Sequence, residues 1–139
     1  MHLTALHPGF GVEIVGVDLR SMTAESGYPA IRALFEEHSL LVFRGQHLND
    51  DAHRAVARLF GPIEDREAMH AGVPPPEAPR MANVTNRLDD GLIAAADSLE
   101  TLDLTGNQRW HTDSTFLPIP ALINVLAARV LPSTGGETE

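Results

Sequence analysis

The sequence predicts an α+β fold in which short strands alternate with two helices. The run Gly11–Leu19 (GVEIVGVDL) is β-branched and partly alternating, and Ser39–Phe43 (SLLVF) is a short apolar strand candidate. Between them, apolar residues recur at helical spacing. Strands that come early, with helices between and after them, favour a sheet covered by helices on one side. A chain of 139 residues is long enough for one domain with a hydrophobic core.

Start and stop signals define both helices. Pro29 opens the first helix, because proline is compatible with the first helical turn. Asn49 is a good N-cap for the second helix, and Gly61 followed by Pro62 ends it.

The following part of the sequence is less regular. Residues 71–80 (AGVPPPEAPR) are predicted to form a loop, and Met81–Thr85 (MANVT) a short strand. The polar, small-residue stretch Arg87–Asn107 indicates a mobile loop or lid, with one short helix around Ile93–Leu99.

Two further strands are predicted near the end of the sequence. Trp110–Phe116 (WHTDSTF) is a strand candidate followed by prolines. Ala121–Leu131 is compatible with a helix or a strand, and its length, flanking prolines and position after a strand favour a strand.

Composition excludes several classes of protein. Hydrophobic residues make up 43% and charged residues 21%, as in ordinary globular domains. The net charge of -9 gives little electrostatic support for a nucleic-acid partner. Cysteine is absent, which rules out disulfides and thiolate metal sites. The N-terminal residues lack a secretory pattern and no apolar run could span a bilayer, so we expect a cytoplasmic protein with no membrane partner.

One short stretch carries a candidate for chemistry. On a strand, His111 and Asp113 would point to the same side. An imidazole and a carboxylate on one side supply two of the three donors of the 2-His-1-carboxylate triad that holds non-haem Fe(II). The spacing alone is weak evidence, since His-x-Asp arises by chance in roughly one such chain in three, and a surface pair is the alternative. His38 and His53 lie beside charged residues on predicted helices, and we expect them to be solvated.

Longer motifs add to this pair. They are GVEIVGVDL, LVFRGQ (Leu41–Gln46), ARLFGP (Ala57–Pro62), NQRWHTD (Asn107–Asp113) and LPSTGGET (Leu131–Thr138). Together they closely resemble the Fe(II)- and 2-oxoglutarate-dependent dioxygenases that include taurine dioxygenase and 2,4-dichlorophenoxyacetate dioxygenase. The resemblance covers essentially the whole chain. It implies that residues 1–139 are the N-terminal portion of a single domain, a double-stranded β-helix (jelly roll) with flanking helices and an incomplete barrel.

The resemblance also implies roles for individual residues. His111 and Asp113 match the first two iron ligands, and Thr138 matches the residue whose hydroxyl contacts the carboxylate of 2-oxoglutarate. Asn107 matches a position in the substrate pocket, and His70 falls near a contact to the substrate anion. No further catalytic residue is assigned. Residues 87–107 would be an active-site loop.

The implied activity is hydroxylation of a small organic acid by O₂, coupled to decarboxylation of 2-oxoglutarate to succinate. The implied cofactor is Fe(II), and 2-oxoglutarate is the co-substrate. An aryloxyalkanoate such as 2,4-dichlorophenoxyacetate is the leading substrate, and a sulfonate is the alternative. A homo-oligomer of the full-length form is compatible with this assignment.

The family pattern is incomplete in this chain. Family members are about twice this long. They supply, further on, a second iron histidine and an arginine that pairs with 2-oxoglutarate. No histidine follows His111, and the last arginine is Arg129. We therefore expect the 139-residue chain alone to be inactive. One alternative is a non-catalytic truncated remnant that acts through partner contacts, and another is a different small metal-binding β-barrel with fortuitous motifs.

Overall fold

The structure, a computed structural model, describes residues 1–74, 76–106 and 109–135, with only the backbone described at a few helical positions. The chain divides into two compact units. The first unit contains residues 1–64 together with 122–135, and the second contains residues 65–121.

The first unit is built on a three-stranded sheet with the strand order β1-β2-β3. Strand β1 (His2–Ala5) pairs antiparallel with β2 (Val12–Val15), and Leu3 lies opposite Ile14. Strand β2 pairs in parallel with β3 (Leu41–Val42). Because parallel neighbours need a crossover, the chain between them forms helix α1 (Tyr28–His38).

The core of this unit follows from the alternation of side chains along β2. Val12 and Ile14 point inward, and Ile14 is only 2% exposed. Both contact Ile31 of α1, so one face of the sheet is covered by this helix. The sheet with a helix on one face confirms the predicted α+β class.

Helix α2 (Asp50–Phe60) begins and ends where the sequence predicts. The Asn49 side chain accepts a 2.8 Å hydrogen bond from the backbone N–H of Ala52, which satisfies a donor that the first turn leaves free. Gly61 follows the last helical residue. Val56 of this helix forms a second apolar cluster with Leu19 and Leu48.

The second unit contains two short helices, α3 (Arg66–Ala71) and α4 (Leu99–Gly106). The sequence analysis did not predict α3. The short helix expected around Ile93–Leu99 instead begins at Leu99, while Ile93 forms an isolated bridge with Arg87. Residues 72–74 and 76–80 have no regular structure, as expected of a loop.

Three predicted strands are wrong in detail. Trp110–Phe116 contains a turn over residues 113–116, because Ser114 has a φ of 58°, a left-handed conformation that no strand contains. Met81–Thr85 and Ala121–Leu131 are not assigned as strands, because in the described part of the chain no neighbouring strand pairs with them. A β-prone sequence needs such a neighbour to complete its hydrogen bonds.

None of the helices in the described ranges combines the length and the apolar character that crossing a membrane requires.

Candidate metal centre

The His111 and Asp113 side chains converge. The Nε2 atom of His111 lies 3.2 Å from Oδ1 of Asp113. Asp113 is the first residue of the turn at residues 113–116, which contains the left-handed Ser114. A turn therefore brings together the two side chains that the sequence analysis expected to share one face of a strand. Both side chains are about half exposed, at 45% and 47%.

The backbone of Arg109 fixes the protonation pattern of the His111 ring. Nδ1 of His111 lies 2.7 Å from the carbonyl oxygen of Arg109. Because a carbonyl oxygen only accepts hydrogen bonds, Nδ1 must carry the proton and donate it. In the neutral ring, Nε2 then presents its lone pair, as in a metal-binding histidine.

This arrangement creates an electrostatic requirement. With Nδ1 protonated, the lone pair of Nε2 and the negative Oδ1 of Asp113 face each other across 3.2 Å. Two acceptors at that distance repel unless a proton or a cation lies between them. The pair therefore either forms a hydrogen bond as imidazolium and carboxylate, or binds a metal ion.

The separation of the two atoms fits a shared metal ion. Two ligands at about 2.1 Å from an ion, in neighbouring octahedral positions, lie about 3 Å apart. The observed 3.2 Å is close to this value. The described residues contain no cluster of three His, Cys, Asp or Glu side chains that could hold a metal. Within the described residues, the candidate metal donors at this site are His111 Nε2 and Asp113 Oδ1.

The roles of all the predicted site residues, including metal binding by His111 and Asp113, stay predictions. Asn107 and Thr138 lie outside the described residues. His70 belongs to α3, and its side chain also lies outside what the structure describes.

The expectation that His53 is solvated is wrong. His53 is only 6% exposed, and its Nε2 lies 2.8 Å from the carbonyl oxygen of Val125. A signal was available in the sequence, since His53, Val56 and Phe60 recur at the three- and four-residue spacing of one helical face.

Comparison with known proteins decides the family. The profile described as "Taurine catabolism dioxygenase TauD, TfdA family" matches residues 2–139, which is nearly the whole chain. The chain belongs to the TauD/TfdA family. This membership confirms the resemblance that the sequence motifs indicated. Enzymes of this type use Fe(II) and 2-oxoglutarate.

Individual relatives agree with this membership. The alpha-ketoglutarate-dependent 2,4-dichlorophenoxyacetate dioxygenase of Cupriavidus pinatubonensis is 37% identical over 135 residues, which cover 96% of this chain and 47% of the relative. The (S)-phenoxypropionate/alpha-ketoglutarate-dioxygenase of Sphingobium herbicidovorans is 34% identical over 137 residues, which cover 98% of this chain and 43% of the relative. The chain thus spans less than half the length of these relatives.

A solved structure shows the same fold. The crystal structure of AAD-2 in complex with Mn(II) and N-oxalylglycine aligns with a TM-score of 0.70 and 29% identity, covering 87% of this chain and 40% of that one. The three-stranded sheet and its helices are therefore a part of the jelly-roll fold with an unclosed sheet.

Proposed function

We propose that this chain contributes the first two metal ligands of an Fe(II)- and 2-oxoglutarate-dependent dioxygenase that hydroxylates a small organic acid. The single observation that carries the proposal is the His111–Asp113 pair, whose facing acceptor atoms are 3.2 Å apart. Membership in the TauD/TfdA family supports reading this pair as metal ligands rather than as an ordinary surface pair.

In this proposal each residue has a defined task. His111 binds the metal through Nε2, while the Arg109 carbonyl holds the ring in place through Nδ1. Asp113 supplies the carboxylate, and the Thr138 hydroxyl contacts the carboxylate of 2-oxoglutarate. When bound, the metal supplies the activation of O₂ that couples decarboxylation of 2-oxoglutarate to hydroxylation of the substrate.

The proposed substrate is an aryloxyalkanoate such as 2,4-dichlorophenoxyacetate, with a sulfonate as the alternative. The relatives named for 2,4-dichlorophenoxyacetate and (S)-phenoxypropionate support the first class. A relative from Pseudomonas putida named as an alpha-ketoglutarate-dependent sulfate ester dioxygenase, 31% identical, supports testing sulfur oxyacids as well. Asn107 and His70 are the proposed substrate contacts. A cytoplasmic location and a homo-oligomeric full-length form remain predictions from the sequence.

The segment 87–107 is proposed as the active-site loop. It contains α4, and it presents exposed apolar side chains that a bound substrate could cover, namely Leu88, Leu92, Ile93, Leu99 and Leu102. Limited proteolysis tests this role. Cleavage within the segment should slow when Mn(II), 2-oxoglutarate and an aryloxyalkanoate are added together, and an unchanged rate would contradict the loop's role.

The alternative is a non-catalytic protein that acts through partner contacts. Within the described residues, the His111–Asp113 pair has no third His, Cys, Asp or Glu donor beside it. We expect the 139-residue chain alone to give no turnover.

The decisive assay measures succinate. The natively expressed protein should form succinate when Fe(II), 2-oxoglutarate and an aryloxyalkanoate are present, and the Asp113→Asn variant should not. Succinate at the level of a metal-free control in the native protein would favour the non-catalytic alternative. Turnover by the purified 139-residue chain would show that two ligands from this chain suffice.

A further inference from the structure

Residues 122–131 of the first unit, which we call the docked segment, contain no regular secondary structure and bend at Leu122 and at residues 129–130. From residue 122 to residue 128, exposure alternates with a period of two, as in a strand. The half-buried residues are Ile123, Val125 and Ala127, and the exposed apolar residues are Leu122, Leu126 and Val130. Because both faces are mainly apolar, hydrophobic packing alone does not define which face lies inward or in which register.

His53 of α2 provides the first polar anchor for this segment. Its Nε2 lies 2.8 Å from the carbonyl oxygen of Val125, and since a carbonyl only accepts, Nε2 must donate. His53 is buried, with only 6% of the residue exposed. Nδ1 has no hydrogen-bond partner among the described residues. Within them, the ring is therefore hydrogen-bonded through Nε2 to the Val125 carbonyl alone.

Arg129 provides the second anchor. Its guanidinium donates to the carbonyl of Leu48, just before α2, and lies 3.0 Å from Oδ1 of Asp50. Strand residues advance by about 3.3 Å each, so a slip of two residues would move Arg129 roughly 6.6 Å away from Asp50. A slip of one residue would turn the Val125 carbonyl away from His53.

The two anchors together therefore select one register. A slip of two residues could present another carbonyl to His53, but it would break the contact of Arg129. A slip of one residue keeps an apolar face inward, but it breaks the bond to His53. The bond to His53 alone leaves the two-residue slip open, and the contact of Arg129 with Asp50 excludes it.

We propose that His53 and Arg129 are positioning residues that fix the register of the docked segment against α2, a segment that leads along the sequence to the proposed 2-oxoglutarate contact Thr138. This inference rests on the proposed function of Thr138 as a contact to 2-oxoglutarate. Thr138 follows the docked segment closely in the sequence, so we expect a change of register to disturb the contact proposed for Thr138.

The test uses the full chain and four substitutions, three at histidines and Arg129→Met. His53→Leu removes the donor while keeping an apolar side chain of moderate size. His53→Gln is the rescue variant, because its side-chain amide N–H can still donate to the Val125 carbonyl. His47→Gln, at an exposed histidine near the start of α2, is the matched control.

Hydrogen exchange measured by mass spectrometry gives a local readout. We expect His53→Leu to accelerate exchange of residues 122–131 by roughly tenfold, the effect of losing one buried hydrogen bond, while strands β1 and β2 exchange as before. His53→Gln and His47→Gln should stay within about twofold of the unsubstituted chain. Arg129→Met should also accelerate the hydrogen exchange of residues 122–131.

Two results would overturn the proposal. Unchanged exchange of the docked segment in His53→Leu would show that apolar packing alone fixes it. Acceleration spread evenly over the whole first unit, without rescue by His53→Gln, would show a general structural role.

An independent measurement separates this inference from the proposed function. Long-range ¹H–¹⁵N correlation spectra should show His53 as the Nε2–H tautomer, and the Nδ1–H tautomer would contradict the anchor. In the native protein, His53→Leu should raise the KM for 2-oxoglutarate more than it lowers kcat. If the unsubstituted native protein binds no 2-oxoglutarate, the proposed function fails, whereas the exchange result still decides the register.

Discussion

His111 Nε2 and Asp113 Oδ1 lie 3.2 Å apart, although the chain enters a turn at Asp113 instead of continuing as a strand. Nδ1 of His111 lies 2.7 Å from the Arg109 carbonyl oxygen and donates a hydrogen bond to it, which leaves the lone pair on Nε2. The lone pair and the carboxylate that face each other can be stabilised by a proton or by a metal ion. This relationship makes the pair a candidate metal site on physical grounds, independently of family membership.

The turn beside the pair depends on Ser114. This residue is 3% exposed and has a φ of 58°, which costs most residues with a side chain roughly 1–2 kcal/mol. We expect Ser114→Val to lower the free energy of unfolding of the second unit by about that amount or more, because β-branched residues avoid this conformation, and to weaken Mn(II) binding. Calorimetry and Mn(II) titration check both effects. Ser114→Gly should keep the turn, so a similar loss in that variant would contradict the backbone explanation.

The core of the first unit depends on Ile14. This side chain is 2% exposed and contacts the cluster of Val12 and Ile31. Ile14→Ala should lower the free energy of unfolding by about 2–5 kcal/mol, because it removes buried methyl groups and leaves a cavity. Urea denaturation measures the change. Val15→Ala, at the next and half-exposed position, is the control and should cost much less.

The N-cap of α2 should contribute measurably to the free energy of unfolding. Asn49→Ala removes the acceptor for the Ala52 N–H and should lower the free energy of unfolding by about 1 kcal/mol. Asn49→Asp keeps an acceptor of the same shape and should be nearly neutral. Equal losses in the two variants would show that the side-chain hydrogen bond is not the cause.

Asp18 should add a pH-dependent contribution to stability. The side-chain hydrogen bond from Arg20, and then the backbone hydrogen bond from Arg20, hold the pKa of Asp18 below its ordinary value of 3.8. A lowered pKa means that the folded state favours the ionised carboxylate, so this stabilisation is present above pH 3.8 and is lost as the pH falls through the folded-state pKa.

Thermal melts of Asp18→Asn test this sign. The variant should melt below the unsubstituted chain at neutral pH, and the difference should narrow as the pH falls below 3.8. Asp89→Asn, at an exposed position of the second unit, serves as the control. A difference that grows toward acid pH would contradict the assignment.

The sequence predicted those elements whose signals are local. Helix α2 lies between Asn49 and Gly61 in the structure, as the sequence predicts. Such a prediction succeeds because a cap interacts only with the adjoining turn of its own helix. The strand predicted at Trp110–Phe116 failed, since nothing in the residue types shows that Ser114 adopts a left-handed conformation. Strand β1 was missed because HLTA is short and its pairing with β2 is a tertiary contact.

The candidate site was predicted in part. The approach of His111 and Asp113 was predicted, but from strand alternation, whereas the structure achieves it beside a turn. The contact between His111 and the Arg109 carbonyl could not be predicted, because it depends on the local backbone path. The helical spacing of His53 with Val56 and Phe60 indicated its burial, but its contact with the Val125 carbonyl, 72 positions away in the sequence, is not visible in a local pattern.

The central claim is that His111 and Asp113 bind one metal ion together. Its most direct test is a titration of the chain with Mn(II), in which electron paramagnetic resonance measures the concentration of the free ion. We expect one Mn(II) to bind per chain, and His111→Gln and Asp113→Asn each to weaken binding by roughly tenfold or more, because each removes a donor. His47→Gln, at an exposed histidine of the first unit, should bind as the unsubstituted chain does. Equal affinity in all four proteins would contradict the account, since the ion would then bind elsewhere than between His111 and Asp113.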